Sequence, residues 1–282
     1  MRATIFGATG LLGKALMQEW QSDQIAGLGS KDTDIRNRQQ VLEIVQQTRP
    51  DWIVLAAAYT DVDGCESNSK LAFSVNRDGA ENVAQAAKEH GARLLFVSTD
   101  YVFDGTKTSP YETGDRRGPR SVYGRSKAEA EVKLTHILPN CCIVRTSWLF
   151  GPGGKCFPDT ILKLAKSKPE LQVVNDQRGS PTFSQDLARA IIQLCRREAS
   201  GIIHATNQGD CTWFEFAQEI VWRAGLKTAV HPTTSEEFPR PAPRPKYSVL
   251  SRKSLGHCGI VMPAWQDALD RYLAARSAAP LI

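Results

Sequence analysis

Tyr123 and Lys127 are two residues whose types and spacing could do chemistry. Residues four positions apart share one face of a helix, so a helix would place the two side chains together. A tyrosine hydroxyl has an ordinary pKa of about 10, too high for efficient proton transfer at neutral pH. A lysine ammonium group one turn away favours the phenolate and lowers that pKa, and it can also hold the ribose of a nicotinamide cofactor. The pair predicts proton transfer, although this spacing alone also arises by chance in helices.

A threonine lies 24 residues before the tyrosine, in the segment Ser98-Thr99-Asp100. This segment ends an apolar stretch that we predict to be a strand, and ligands bind at the carboxyl ends of strands in α/β sheets. Thr99 can therefore direct its hydroxyl group toward the same carbonyl oxygen as Tyr123. Thr99, Tyr123 and Lys127 together predict the catalytic residues of an oxidoreductase.

A glycine-rich turn, Gly7-x-x-Gly10-x-x-Gly13, follows the first apolar run and opens a helical pattern. Such a turn lets backbone amides approach a pyrophosphate at a helix N-terminus. The spacing differs from GxGxxG and is the variant that we associate with short-chain dehydrogenases. The alternative is a tight strand–helix turn without a ligand.

Small side chains end the third predicted strand, at Ala56, Ala57 and Ala58, where the backbone of a bound cofactor must pass close. Plain helix–sheet packing is the alternative for these alanines. Asp34 and Ile35 precede that strand, and an Asp–hydrophobe pair at this point contacts the adenine in this class of enzyme. The sequence therefore predicts a dinucleotide groove along these segments.

The end of the second predicted strand indicates which dinucleotide is bound. An acidic residue there would hydrogen-bond the ribose hydroxyls of NAD, but the sequence reads Leu28-Gly29-Ser30-Lys31, and the first carboxylate is Asp32. Ser30 and Lys31 could instead receive a 2′-phosphate, with a solvated loop charge as the alternative for Lys31. We predict NADPH as the cofactor, with NADH possible.

Strands and helices alternate in the first half of the chain, which predicts βαβ units. The fold class is α/β, with a Rossmann-like doubly wound parallel sheet and a smaller, partly interleaved C-terminal substrate lobe. The cofactor domain is predicted at residues 1–150, with 179–207 returning to it, and the lobe at 151–178 and 208–282. The proline-rich stretch 239–245 is predicted to be extended. The predicted strands are 2–6, 25–28, 52–58, 94–98, 141–146, 171–174 and 201–205. The first predicted helix follows the glycine turn and carries Ala15, Leu16 and Trp20. The other predicted helices are 41–48, 72–90, 123–138, 157–167, 183–197, 212–224 and 264–275.

Composition limits the remaining classes of function. The formal net charge of +5, from 35 basic and 30 acidic residues, is too small to argue for nucleic acid and fits an anionic ligand. Seven cysteines without CxxC spacing predict neither disulfides nor a metal site, and they favour a reducing, cytoplasmic location. We see no signal peptide and no stretch of about 20 apolar residues that would span a membrane.

Five motifs together resemble the dTDP-4-dehydrorhamnose reductase family and extend over nearly the whole chain. The motifs are Ser98-Thr99-Asp100-Tyr101-Val102-Phe103-Asp104-Gly105, Tyr123-Gly124-x-x-Lys127, Val144-Arg145-Thr146-Ser147-Trp148-Leu149-Phe150-Gly151, Asn175-Asp176-Gln177-x-Gly179-x-Pro181-Thr182 and Arg244-Pro245-x-x-Ser248-x-Leu250. The resemblance implies reduction of a 4-keto sugar nucleotide to dTDP-L-rhamnose by NAD(P)H. It also implies a small-molecule substrate and a monomer or homodimer.

The resemblance also implies roles for single residues. Tyr123 would give the proton to the C4 oxygen, and Lys127 would tune it and bind the ribose. Thr99 and Asp100 would contact the sugar, Trp148 would line its pocket, and Arg244 would pair with the substrate diphosphate. Gly10, Leu11 and Leu12 would lie along the pyrophosphate, and the rest of the cofactor groove would be lined by Asp34, Ile35, Ala58, Tyr59 and Thr60. Core packing for Trp148, a surface charge for Arg244 and a turn cap for Asp100 are the alternatives.

Two other functions use the same motifs. A sugar-nucleotide epimerase or dehydratase shares the fold, but such a dehydratase tends to carry Asp-Glu after the threonine, whereas Tyr101 follows Asp100 here. A non-catalytic NADP-binding subunit, similar to the beta subunit of methionine adenosyltransferase, is the second alternative. Stoichiometric oxidation of NAD(P)H separates a reductase from both.

Overall fold

A computed structural model of the chain describes residues 1–278. In chain order the strands are β1 Arg2–Phe6, β2 Gln24–Leu28, β3 Trp52–Leu55, β4 Arg93–Thr99, β5 Cys142–Thr146, β6 Leu149–Phe150, β7 Glu170–Val174, β8 Arg178–Gly179, β9 Thr182–Phe183, β10 Gly201–His204, β11 Cys211–Thr212 and β12 Ala229–Thr233. The α-helices are α1 Leu11–Glu19, α2 Arg38–Thr48, α3 Val62–Ser67, α4 Ser69–Phe73, α5 Ala80–Glu89, α6 Val122–Ile137, α7 Phe157–Ser167, α8 Ser184–Arg196, α9 Trp213–Arg223, α10 Lys253–His257 and α11 Trp265–Ala278.

Six parallel strands form the central sheet in the order β10-β5-β4-β3-β1-β2. Every residue of β3 and β5 is buried, as expected for parallel strands that are covered on both faces. The strand order changes direction beside β1, and ligands bind at such a switch point in open α/β sheets. The predicted Rossmann-like doubly wound fold is confirmed.

Two helical layers cover the sheet. Side chains of α1 and α8 pack on one face around Leu16 and Ile191. Those of α2, α5 and α6 pack on the other face around Val45, Val83 and Leu134. The strand Gly201–His204 pairs with β5 at the sheet edge, as its predicted return to the sheet requires.

A separate apolar cluster lies in the second half of the chain, where α7, α9 and α11 pack around Phe216 and Leu269. Short ladders connect its loops: β7 pairs with β12, β8 with β11, and β6 with β9. The strand β12 is absent from the sequence prediction, because its exposed residues Ala229, His231 and Pro232 leave no apolar run. Within residues 1–278, no helix is long and apolar enough to cross a bilayer.

The helix predicted over 72–90 is interrupted, and this prediction is wrong in its continuity. Residues 74–79 form a π-helical turn between α4 and α5. Asn76 in this turn is buried, and its side chain bonds the amide of Tyr59 at 2.7 Å, the carbonyl of Tyr59 at 3.1 Å and the hydroxyl of Ser126 at 3.0 Å. The turn therefore connects the helix to the segment after β3. That strand ends at Leu55 rather than at the predicted Ala58.

Candidate active site

The turn that joins β1 to α1 depends on its glycines. Gly7 has φ of +93°, a conformation that favours glycine, and a Cβ on Gly13 would collide with the carbonyl oxygen of Gly7. Gly10 caps α1 without a side-chain hydrogen bond. The first amides of α1 therefore remain available to an anion at the positive end of the helix.

A cleft of about 700 Å³ opens over this turn and over the carboxyl ends of the central strands. Most residues that the sequence predicts for cofactor and substrate line it. They are Gly7, Gly10, Leu11, Leu12, Gly13, Ser30, Asp34, Ile35, Ala56, Ala57, Ala58, Thr60, Thr99, Asp100, Tyr123, Lys127 and Trp148. A single cavity thus brings both predicted sites together.

Three predicted residues do not line the cleft. Lys31 is exposed on the loop after β2. The ring of Tyr59 packs instead with Cys65 and Val122. The guanidinium of Arg244 pairs with the Asp63 carboxylate and donates to the Ala242 carbonyl at 2.7 Å, so Arg244 is occupied within the protein.

Two basic residues that the sequence analysis missed do line the cleft, Arg36 and Lys155. Arg36 holds both carboxylate oxygens of Asp34, with its Nε 2.9 Å from each. Lys155 follows a glycine-rich loop whose Gly153 carbonyl accepts a hydrogen bond from the Lys14 ammonium at 2.6 Å. The signal for Arg36 was its position directly after the predicted adenine contact.

Lys127 lies in a nearly dry environment at one wall of the cleft. It is 2% exposed, its ammonium nitrogen donates to the Val97 carbonyl at 2.7 Å, and the same atom lies 3.8 Å from the centroid of the Phe96 ring. Burial disfavours the charged form and lowers the pKa of Lys127 to about 7. The nearby Glu131 carboxylate opposes this shift. At neutral pH the lysine can therefore hold or release a proton.

Tyr123 keeps its proton in this environment. Burial raises the pKa of its hydroxyl well above the usual value, and the Asp100 carboxylate adds to the rise, while a hydrogen bond with Thr99 lowers it. The net direction is opposite to the lowered pKa that the sequence predicts, because desolvation of the phenolate is the largest contribution. A protonated hydroxyl is the state that a proton donor requires.

Thr99 and Asp100 complete this wall at the end of β4. The Thr99 hydroxyl donates to the Asp100 carboxylate at 2.9 Å and accepts from the Tyr101 amide at 3.2 Å. Asp100 is 1% exposed, and burial raises its pKa to about 6. The carboxyl group and the hydroxyl of Tyr123 thus face one part of the cleft, where a polar ligand would find donors and an acceptor.

A buried ionic cluster lies behind these residues on α6 and β5. Glu131 is fully buried and accepts from Ser98 at 2.6 Å, from Arg145 at 2.9 and 2.6 Å, and from Arg117 at 3.0 Å. Tyr123, Lys127 and Glu131 recur every four residues, so the cluster continues the catalytic face of the helix.

The cleft fits a dinucleotide. The glycine turn offers amides to a pyrophosphate, and the Thr146 hydroxyl, which lines the cleft, is buried and lacks a hydrogen-bond partner in the described part of the chain. The end of β2 offers Ser30 and Arg36 but no free carboxylate, since Asp32 accepts from the Gly29 amide at 2.7 Å. This donor set suits a 2′-phosphate. Among residues 1–278 there is no group of three or more His, Cys, Asp or Glu side chains that could hold a metal ion.

Known proteins resemble the chain over its full length. A family model described as RmlD substrate binding domain matches residues 1–277. The spore coat polysaccharide biosynthesis protein SpsK of Bacillus subtilis is 40% identical, with 99% of each chain covered. A dTDP-4-dehydrorhamnose reductase of Sinorhizobium fredii is 39% identical over 98% of this chain and 97% of its own. The crystal structure of dTDP-4-dehydrorhamnose reductase from Bacillus anthracis in complex with NADP has a TM-score of 0.94 and 40% identity, covering 97% of this chain and 99% of that one.

Proposed function

The chain belongs to the family described as RmlD substrate binding domain, and we propose on that premise that it is an NADPH-dependent dTDP-4-dehydrorhamnose reductase. The product would be dTDP-L-rhamnose. The observation that supports this best is the shared wall of Thr99, Tyr123 and Lys127, which faces the same cleft as the glycine turn. This arrangement combines a dinucleotide site with a proton donor for a carbonyl oxygen.

Proton donation is the task of Tyr123. The hydroxyl carries a proton at neutral pH even at its ordinary pKa of about 10, and Thr99 beside it can hydrogen-bond the same C4 oxygen of the sugar. Burial raises this pKa further, so proton donation depends on the placement of the C4 oxygen against the hydroxyl and not on a lowered pKa. NADPH, when bound, supplies the hydride to C4. Lys127, whose pKa is about 7, can hold the ribose and return a proton toward the phenolate that remains.

The preference for NADPH rests on the residues after β2. Ser30 and Arg36 line the adenosine end of the cleft. Asp34 holds Nε and Nη2 of Arg36, which leaves Nη1 of this guanidinium for a phosphate. The Asp34 carboxylate is neutralised by that same guanidinium, which lowers its pKa and reduces repulsion of a phosphate. NADH would bind without the phosphate contact.

We assign the C-terminal lobe and Arg244 to binding of the substrate. Residues 1–150 and 179–207 would form the cofactor half, and residues 151–178 and 208–278 the substrate half; the last four residues of the predicted range, 279–282, lie outside the described residues. Arg244 would reach the diphosphate by leaving Asp63, whose pKa the two arginines Arg240 and Arg244 lower to about 2 against the effect of burial. Trp148 and Asp100 would border the sugar. We assign the enzyme to the cytoplasm, as a monomer or homodimer.

The test is oxidation of NADPH and of NADH with dTDP-4-keto-6-deoxy-L-mannose as substrate. We expect stoichiometric oxidation that is faster with NADPH, and dTDP-L-rhamnose as the product. Binding of NADP(H) without sugar reduction would instead indicate a non-catalytic subunit, and interconversion of sugars without net oxidation would indicate an epimerase.

A further inference from the structure

The motif at residues 175–182 has no role in the chemistry described above, yet it lies against Trp148. The Ser147 hydroxyl donates to the Ser180 carbonyl at 2.7 Å, and the Thr182 amide donates to the Trp148 carbonyl at 3.1 Å. The ladder between β6 and β9 continues this contact. The motif therefore holds the backbone of the one tryptophan that lines the cleft.

The Trp148 indole is enclosed on both faces. Trp213 lies parallel to it, with ring centroids 3.5 Å apart and planes inclined by 6°. A Cβ on Gly179 would lie 2.5 Å from Cε2 and 2.6 Å from Nε1 of Trp148. No atom fits between rings stacked so closely, so Gly179 must lie against the other face. The indole is therefore held between Trp213 on one face and Gly179, beside Cε2, Nε1 and Cζ2, on the other.

Trp213 and Gly179, which flank the Trp148 indole, are also connected to each other. Strand β8 pairs with β11 in the register Cys211–Gly179, so Gly179 and the start of α9 are neighbours. Thr212 and Glu215 form a capping box at that helix start, and Glu215 also accepts from Arg178 at 3.1 and 3.2 Å. Trp213, the first residue of the helix, therefore has a fixed position.

Two features of the Trp148 environment are energetically unfavourable by themselves. Trp148 has φ of +48°, in the left-handed region that bulky residues avoid. Aromatic rings also prefer offset or edge-to-face contacts to full overlap. Strain of this kind persists only where the surroundings impose it, and it is concentrated at functional sites. Both features here concern the same cleft-lining side chain.

We infer that Trp213 and Gly179 are positioning residues that hold the Trp148 indole as a rigid wall at the sugar end of the cleft. This inference rests on the proposed function, because the wall acts on a sugar nucleotide that also contacts Tyr123. A rigid wall restricts the poses in which the keto carbon faces the proton donor. Trp148 lines the cleft, whereas Trp213 and Gly179 are not among its lining residues, so both act through Trp148.

The test compares Trp213→Ala, Trp213→Phe and Gly179→Ala with the wild type, and uses Trp222→Ala as the matched control. Trp222 is on the same helix but is 70% exposed. Far-ultraviolet circular dichroism reports the exciton couplet of two stacked indoles, and fluorescence titration reports NADPH binding. Steady-state kinetics with the keto sugar nucleotide and equilibrium binding of dTDP-L-rhamnose report the sugar site.

We expect Trp213→Ala to lose the couplet and to lower kcat/KM by about 10²-fold, the usual effect of a displacement of about 1 Å, with NADPH binding unchanged. Trp213→Phe should recover most of the activity because it restores a flat ring, and Gly179→Ala should displace the indole from the other side. Trp222→Ala should keep the couplet and the kinetics. Loss of the couplet with unchanged kcat/KM would overturn the inference.

The activity of the wild type distinguishes a failure of this inference from a failure of the proposed function. A wild type that does not reduce the keto sugar overturns the proposed function. In that event the binding of dTDP-L-rhamnose decides: weaker binding by Trp213→Ala and by Gly179→Ala supports the positioning role, and unchanged binding rejects it. If Trp213→Ala does not fold, Gly179→Ala alone tests for the loss, and Trp213→Phe is the variant that should keep the sugar site.

Discussion

Replacement of Glu131 by glutamine tests the buried cluster behind the catalytic face. The carboxylate accepts hydrogen bonds from Ser98, Arg117 and Arg145, and Arg145 is only 1% exposed. Burial would raise the pKa of Glu131, but the Arg145 hydrogen bond and charge keep it below its usual value. Glutamine would turn one acceptor into a donor that faces other donors and would leave Arg145 as an uncompensated buried charge. Removing one partner of such a pair costs about 3–5 kcal/mol.

The free energy of unfolding, from urea denaturation at pH 7, measures this loss. At roughly 2–4 °C for each kcal/mol in a chain of this size, the melting temperature should fall by about 6–20 °C. The control is Glu129→Gln on the same helix, where Glu129 pairs with Arg77 at 3.0 Å but is 51% exposed. An exposed pair contributes at most about 1 kcal/mol. If the two variants lose equal stability, burial is not what makes Glu131 important.

Three other substitutions test the chemistry of the cleft. Tyr123→Phe should lower kcat by at least ~10²-fold, the usual contribution of a general acid, with NADPH binding retained; near-normal turnover would reject Tyr123 as the donor. Lys127→Met should raise the melting temperature of the cofactor-free protein more at about pH 6.5 than near pH 10. The pKa of Lys127 falls from 10.5 in the unfolded chain to about 7 in the folded protein. The lysine therefore destabilises the folded state fully below about pH 7 and progressively less as the pH rises toward 10.5. A difference that grows with pH would contradict the burial argument. Ser30→Asp should reduce the ratio of kcat/KM for NADPH to that for NADH by at least ~10-fold, because the carboxylate repels a 2′-phosphate and accepts from ribose hydroxyls; an unchanged ratio in paired oxidation assays would place the phosphate elsewhere.

Local patterns were sufficient for the sheet and for the glycine turn. The apolar strands and the spacing of Gly7, Gly10 and Gly13 are properties of short segments, and the structure reproduces both. The cleft position of Thr99 followed from one rule about the carboxyl ends of strands. The confirmed resemblance then supplied the reductase activity.

Long-range contacts explain what the sequence could not show. The interruption before α5 depends on Asn76 reaching Tyr59 and Ser126, partners up to 50 residues away. Arg244 looked free in the sequence, but it meets Asp63 at a separation of 181 residues. The pKa of Tyr123 depends on desolvation by the whole fold, which a spacing of four residues cannot report.

The edge strand β10 has a consequence for synthesis of the chain. It lies beside β5 in space, but 54 residues separate the end of one from the start of the other. Until residue 204 has left the ribosome, β5 has an unpaired edge, and the face of the sheet that α8 covers remains open. Unpaired edges and uncovered apolar faces favour aggregation. We therefore expect a fragment of the first 150 residues to aggregate more readily than a longer fragment that includes α8 and β10.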